Sequence, residues 1–265
     1  MSEKLVKYPP ETPEQKLIWE VWFLFIMIVV VGVFGNSAAI DVIFTVIISI
    51  IFAINLTIRF LLVNEKGDWM FFLLGVMAGG GNDLLSMING VYNYTSLTII
   101  PLFWGLMPLW MIIFWGQVFL LFRKIFNLSW CKGEPFKKDG ELLGGWIDKK
   151  LIFDLSLILI LRIIIYNTYM VEFWIPALFY AIGVGVRFLI FPPKRNEIMI
   201  IIILPYAFIF EALMVVFGLY VYYNPLPIVL IPLWLCIWWI FLVPIFVKEL
   251  FERLEYIVEN KVEKS

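Results

Sequence analysis

The chain has 265 residues, of which 63% are hydrophobic, 18% aromatic and 15% charged, with a net charge of −1. A soluble domain carries about 25% charged and 45–50% apolar residues, so this much apolar surface does not fit one soluble core and points to a polytopic membrane protein. The absence of histidine excludes His-ligated haem, HExxH zinc sites and Ser-His or Cys-His catalysis; the distant Cys131 and Cys236 indicate neither a Cys-rich metal site nor a disulfide framework, and the charge balance carries no nucleic-acid signal.

In chain order, residues 1–16 form a polar tail with Pro9, Pro10 and Pro13, unlike a cleavable signal peptide. Apolar runs then predict eight membrane helices at 17–35, 38–63, 69–93, 98–124, 150–167, 170–191, 197–222 and 227–248, each about long enough to cross a ~30 Å hydrocarbon layer. The expected fold is an all-α polytopic membrane helix bundle. Residues 125–149 form a polar linker. Residues 249–265 carry Leu250, Phe251, Leu254, Ile257 and Val258 at helical spacing, an amphipathic helix suited to a membrane surface or a partner. Lys and Arg fall in the N-terminal tail, near the 2–3 and 6–7 loops, in the linker and in the C-terminal tail, whereas the 1–2, 3–4, 5–6 and 7–8 loops have none. The positive-inside bias therefore places both termini in the cytoplasm of a multi-pass protein, read as one of a prokaryotic cell membrane.

A shift of 128 residues aligns 59–94 with 187–222 without a gap. Arg59-Phe60-Leu61 meets Arg187-Phe188-Leu189, Lys66 meets Lys194, Asp83 meets Glu211, and Gly90-x-Tyr92-x-Tyr94 meets Gly218-x-Tyr220-x-Tyr222. Ile100-Pro101-Leu102 and Ile231-Pro232-Leu233 follow, with three extra residues in the second copy. The expectation is two four-helix repeats, 17–124 and 150–248, in parallel orientation about an axis along the membrane normal.

An ionisable group in mid-membrane costs roughly 2.5–3.5 kcal/mol on insertion scales, so each is a functional candidate or a structural hydrogen-bonding group. Asp83 follows Gly79-Gly80-Gly81, and Glu211 follows Pro205; both settings weaken a helix at mid-membrane, a pointer to a site. Asn82, Ser86, Asn89 and Asn93 fall at i, i+4, i+7 and i+11, one polar stripe running from the midplane to the outer face. Arg162 is read as the cation deep within a span and is expected to pair with Glu211 or Asp83. Asp41, Glu172, Glu20, Asn55 and Gln117 are read as interface or inter-helix groups. Trp104, Pro108, Met111 and Trp115 share a helical face, as do Trp110, Phe114 and Gln117; Trp234 and Trp238 lie four apart with Trp239 next. An acid near aromatic faces suits proton transfer to a greasy substrate, with π-faces stabilising a developing cation.

The run from Glu211 through Gly218-x-Tyr220-x-Tyr222 to a proline-bearing loop and Pro232-Leu233-Trp234 resembles the integral-membrane carotenoid-biosynthesis hydratases, and in concept the small membrane terpene cyclases. The resemblance covers about 25 residues, with an echo at 83–110. It implies protonation or hydration of a polyene or isoprenoid, with Glu211 as the acid and Tyr220 and Tyr222 nearby.

Three functions follow. The first is an acid–base enzyme acting on an isoprenoid or other lipid, without metal or cofactor: Glu211 or Asp83 donates the proton, and Arg162 tunes it or holds a polar head. Asn82, Ser86, Asn89, Tyr92, Tyr94, Trp104, Tyr220, Tyr222, Trp234 and Trp238 then line the substrate. The second is a proton- or cation-coupled transporter or lipid translocator. The third is a non-catalytic membrane scaffold. Membrane lipids and a hydrophobic small molecule are the expected partners; nothing in the sequence fixes an oligomeric state.

Overall fold

The computed structural model describes residues 8–97, 107–138, 140, 142–226 and 230–260, with backbone alone at 205–208. Trp104 and the Ile100-Pro101-Leu102 run lie outside the described residues.

The chain is mostly helical. In order come α1 (Pro13–Ala38), α2 (Val42–Val63), α3 (Asp68–Ile88), strand β1 (Tyr92–Tyr94), α4 (Leu109–Phe126), α5 (Lys149–Thr168), α6 (Trp174–Ile190), α7 (Arg195–Ile203), α8 (Pro205–Val216), strand β2 (Tyr220–Tyr222) and α9 (Leu233–Asn260). Helices α1 to α5 and α9 are long and apolar enough to cross a membrane, and α6 is a shorter apolar helix. Apolar side chains such as Phe25, Val33, Ile54, Leu61, Leu159 and Ile163 are exposed along α1, α2 and α5. This is the surface of an integral membrane protein, whose outward face meets lipid rather than water.

The helix boundaries have local causes. Thr12 and Gln15 form a capping box with Pro13 in the first turn of α1. Asp41, read from sequence as an interface group, accepts from the Ile43 N–H at 2.9 Å and starts α2. The third span, expected to reach residue 93, ends at Ile88. Gly90 takes a left-handed φ of 74°, Val91 N–H closes the turn onto Ser86 O at 2.9 Å, and β1 follows. Helix α8 ends the same way: Gly218 has φ 70°, Leu219 N–H bonds Met214 O at 3.1 Å, and β2 follows. The break expected before Glu211 falls at Leu204, between α7 and α8, where Pro205 removes a backbone donor. Helix α9 starts later than residue 227, at Leu233, and continues through the tail to Asn260.

The described chain divides into two compact units: residues 1–129 with 213–221, and residues 130–212 with 222–265. In the first, α3 and α4 meet along a glycine seam. A β-carbon on Gly79 would lie 2.2 Å from the Trp115 ring, one on Gly75 2.5 Å from Trp115 O, and one on Gly116 2.2 Å from the Phe72 ring. Gly75 and Gly79 are one turn apart, the small-xxx-small spacing by which membrane helices approach closely. Between them α3 widens into a π-helical turn, Val76–Gly80. In the second unit, α5 and α6 pack together, and α9 contacts α5 and α7. The C-terminal part of α9 lies on the linker. Phe136 stacks on Trp146 at 5.7 Å, Tyr256 meets both rings edge-on, and Arg253 pairs with Asp148 at 2.8 Å.

Filling the glycine seam tests it. Gly79→Ala forces the Trp115 ring to move, an overpacking cost of about 1–3 kcal/mol, and should lower the melting temperature in detergent. Gly81→Ala, where a β-carbon meets nothing within 4 Å, should leave stability unchanged or slightly raised.

Candidate functional site

The acid and the G-x-Y-x-Y of the first unit converge. Because the chain reverses at Gly90, the Tyr94 hydroxyl returns to the acid eleven residues before it and donates to Asp83 Oδ2 at 2.7 Å. The Trp115 indole, lying over Gly79, donates to the same oxygen at 2.6 Å. The glycine is thus part of the site: any side chain at position 79 would push away the indole that reaches Asp83. Asp83 is buried. Tyr92, Tyr94 and Tyr220 form a cluster with ring centroids 5.4–5.9 Å apart, and Trp110 sits edge-on to Tyr94 at 6.1 Å.

The second unit holds the same three residue types. Tyr222 OH donates to Glu211 Oε2 at 3.4 Å, and the Trp239 indole donates to Glu211 Oε1 at 3.0 Å. Glu211 is half-buried. Trp239 lies in a π-helical turn, Trp238–Leu242. Pro244 lies just beyond it, and its ring would clash with the carbonyl four residues back in a regular helix. Each acid is therefore associated with a π-helical turn, a feature frequent at functional sites. Tyr94 and Trp115 meet one oxygen of Asp83, whereas Tyr222 and Trp239 meet separate oxygens of Glu211 at longer distances.

The other candidates are distributed around these acids. Arg162 places its guanidinium over the Trp238 ring, 4.3 Å from the centroid. Trp234 and Trp238 pack on Tyr180 at 5.6 and 5.9 Å. The polar stripe does not form: Asn93 lies in β1, beyond the helix. Ser86 Oγ donates to Asn82 O at 2.9 Å and Asn89 Nδ2 to Leu85 O at 2.8 Å, both back onto their own helix. Asn89 is exposed and Ser86 buried. Among the described residues, no group of three Asp, Glu or Cys side chains is placed to hold a metal ion.

Sequence reasoning underrated a second set of charges, at the lysine-rich ends of the helices. In the first unit the Arg59 side chain is fully buried between Glu20 and Asp68. Its Nε donates to Glu20 Oε1 at 2.9 Å, and its Nη2 lies 2.6 Å from Asp68 Oδ2. Gln117 Nε2 donates to Glu20 Oε2 at 2.7 Å, and Arg123 Nη1 reaches Asp68 Oδ1 at 2.5 Å. Lys124 pairs with Glu65, and Lys16 lies 2.5 Å from Glu65. Burial would raise the Glu65 pKa, but Lys124 and Lys16 outweigh it and hold it below its usual value. In the second unit Arg187 Nε donates to Asp154 at 2.6 Å, and Lys150 bridges Glu197 at 2.7 Å and Glu249 at 2.5 Å. The Arg59–Arg187 match was visible in sequence. Their partners were not, because Glu20 and Asp154 lie on other helices with no local motif.

Trp115 and Trp239 also carry a sequence signal. Pro108-Leu109-Trp110 and Pro232-Leu233-Trp234 each precede a tryptophan five residues further on, and both prolines cap their helices with nearly the same φ and ψ. Comparison with known proteins finds no matching family model, no matching curated protein and no matching solved structure.

Arg59→Met should be the most damaging of the conservative-volume substitutions in the first unit. It leaves Glu20 and Asp68 buried against fewer positive partners, a loss of about 3–5 kcal/mol. The readout is a collapse of monodisperse protein in detergent gel filtration. A double change, Arg59→Met with Glu20→Gln, should recover part of the loss.

Proposed function

We propose that the protein is a membrane acid–base enzyme acting on a polyene or isoprenoid-like lipid, and that Glu211 is its proton donor. The observation that carries this reading is the acid–tyrosine–tryptophan arrangement present in each unit, with the longer tyrosine and tryptophan bonds at Glu211. A group that must give up and regain a proton needs acceptor and donor positions that can change partners, and Glu211 meets that need better than the doubly bonded Asp83 oxygen. We read Asp83 as the anchoring copy.

In a hydration, the Glu211 O–H bond breaks as a C–H bond forms at an alkene carbon. Water adds to the resulting cation, and its proton returns to the Glu211 carboxylate. Tyr222 and Trp239 position the carboxyl, while Trp238 offers a π-face on which Arg162 already rests. A cyclisation uses the same first step and returns the proton from carbon. The architecture that goes with this reading is eight spans in two parallel four-helix repeats with both termini cytoplasmic. The matched Arg59 and Arg187 pairs and the matched αL-glycine–strand turns support it. The second reading, a proton-coupled transporter, is favoured by the π-helical turn before Asp83 and the helix break at Leu204 before Glu211.

Lipid extracts decide the matter. Cells that make linear polyenes and express the protein should accumulate a product 18 Da heavier than a resident polyene, or an isomer with altered retention. Glu211→Gln should abolish the product while the protein still elutes as a folded species. Unchanged extracts with wild-type protein, or full product with Glu211→Gln, would eliminate the role.

A further inference from the structure

The ion pair between Asp154 and Arg187 is half made. A guanidinium and a carboxylate commonly meet through two parallel bonds. Here Nε donates to Asp154 Oδ1 at 2.6 Å, and Nη1 turns away to Phe191 O. Asp154 Oδ2 and Arg187 Nη2 are both fully buried, and neither has a hydrogen-bond partner among the described residues. Glu197 lies 3.8 Å from Nη2, beyond hydrogen-bond reach, and its own bonds come from Lys150 and the Lys194 N–H. Leaving such groups bare is costly, and more so for charged ones.

The same two residues line a narrow cleft with room for about one water-sized group. Its other walls are Leu157, Ile158, Phe241, Leu242, Ile245 and Phe246. Leu157, Ile158, Phe241 and Phe246 are only half-buried, and Leu155, Leu159 and Leu189 nearby in sequence are exposed. The mouth of the cleft is therefore apolar, as the side of a membrane helix is. Asp154 stands five residues from Lys149, the first residue of α5, close to the depth at which a lipid's polar end sits.

We propose that this cleft binds the hydroxyl end of a single-chain membrane alcohol. The hydroxyl oxygen accepts from Arg187 Nη2 and donates to Asp154 Oδ2, completing the second leg of the ion pair. The hydrocarbon chain leaves along Leu157, Ile158 and the Phe241–Phe246 edge of α9. A headgroup carrying phosphate or glycerol does not fit a space this small, and the neighbouring Asp154, Glu197 and Glu249 carboxylates disfavour an anion. The inference is independent of the role assigned to Glu211.

Photo-crosslinking in nanodiscs tests it. A long-chain alcohol bearing a diazirine near its hydroxyl should label α5 or α9 peptides that contain the cleft residues. Unlabelled long-chain alcohol should compete roughly tenfold or more better than the alkane of the same length, because only the alcohol completes two charged hydrogen bonds. Leu157→Trp, which fills the cleft without touching the ion pair, should abolish the label. Equal competition by alkane, competition by diacylglycerol but not by the single-chain alcohol, or no labelling of these peptides would each overturn the proposal. The last outcome would mean a water-filled cleft. If Leu157→Trp does not fold, the competition series on wild-type protein decides alone.

Discussion

The first unit is organised around one buried guanidinium. Arg59 sits with no solvent exposure between Glu20 on α1 and Asp68 at the start of α3, and Asp68 passes the contact on to Arg123 on α4. Taking such charges out of water costs several kcal/mol per ion, which only good geometry and further hydrogen bonds offset. The surroundings supply much of this: Gln117 occupies the second Glu20 oxygen, and Asp68 accepts from Arg123 and from the Glu65 N–H, while Arg59 Nη1 finds no hydrogen-bond partner among the described residues. Four helices must hold their relative rotations for this set to close. The network is thus better understood as a device that fixes register than as a source of net stability.

Register at that end is tied to the contacts of Asp83 at the other. On α3, Asp68, Gly75, Gly79 and Asp83 all meet α4, across the π-helical turn Val76–Gly80. On α4, Trp115, Phe119 and Arg123 do the same. The facing pairs run in opposite order: Asp68 with Arg123, Gly75 with Phe119, Gly79 with Trp115, and Asp83 with the Trp115 indole N–H. A charge clasp, a glycine seam and an acid–indole bond are one continuous contact, spanning roughly 22 Å at 1.5 Å per residue. Rotating α3 by one residue would break all three at once.

The membrane class and the places where helices weaken were legible from composition and from Gly79-Gly80-Gly81 and Pro205, because those signals are local. So were the two acids and the tyrosines that follow them: the eleven-residue spacing is short enough for a helix end, an αL glycine and a strand to fold back on themselves. What escaped the sequence was long-range. The polar stripe at Asn82, Ser86, Asn89 and Asn93 assumed a helix continuing past Ile88, but Gly90 reverses the chain, so Asn93 no longer follows the helical spacing. Trp239 was passed over for Trp234 and Trp238, whose four-residue spacing looked like a face. The π-helical turn at Trp238–Leu242 departs from that periodicity, and Trp239 reaches Glu211. Arg59 and Arg187 read as loop charges because a Lys/Arg count weighs position along the chain. It cannot see an acid on a neighbouring helix.

The contrast between the two acids follows from chain geometry. Asp83 has a shorter side chain than Glu211, and the indole that reaches it lies directly against Gly79. Its two donors therefore come within 2.7 Å. Glu211 has one more methylene and a half-buried position, and its donors stand at 3.0 and 3.4 Å. The longer arm brings its two oxygens to separate donors, whereas the shorter one presents a single oxygen to both. Matching positions on the same local motif thus hold their carboxylates differently, through the difference of one methylene and one glycine.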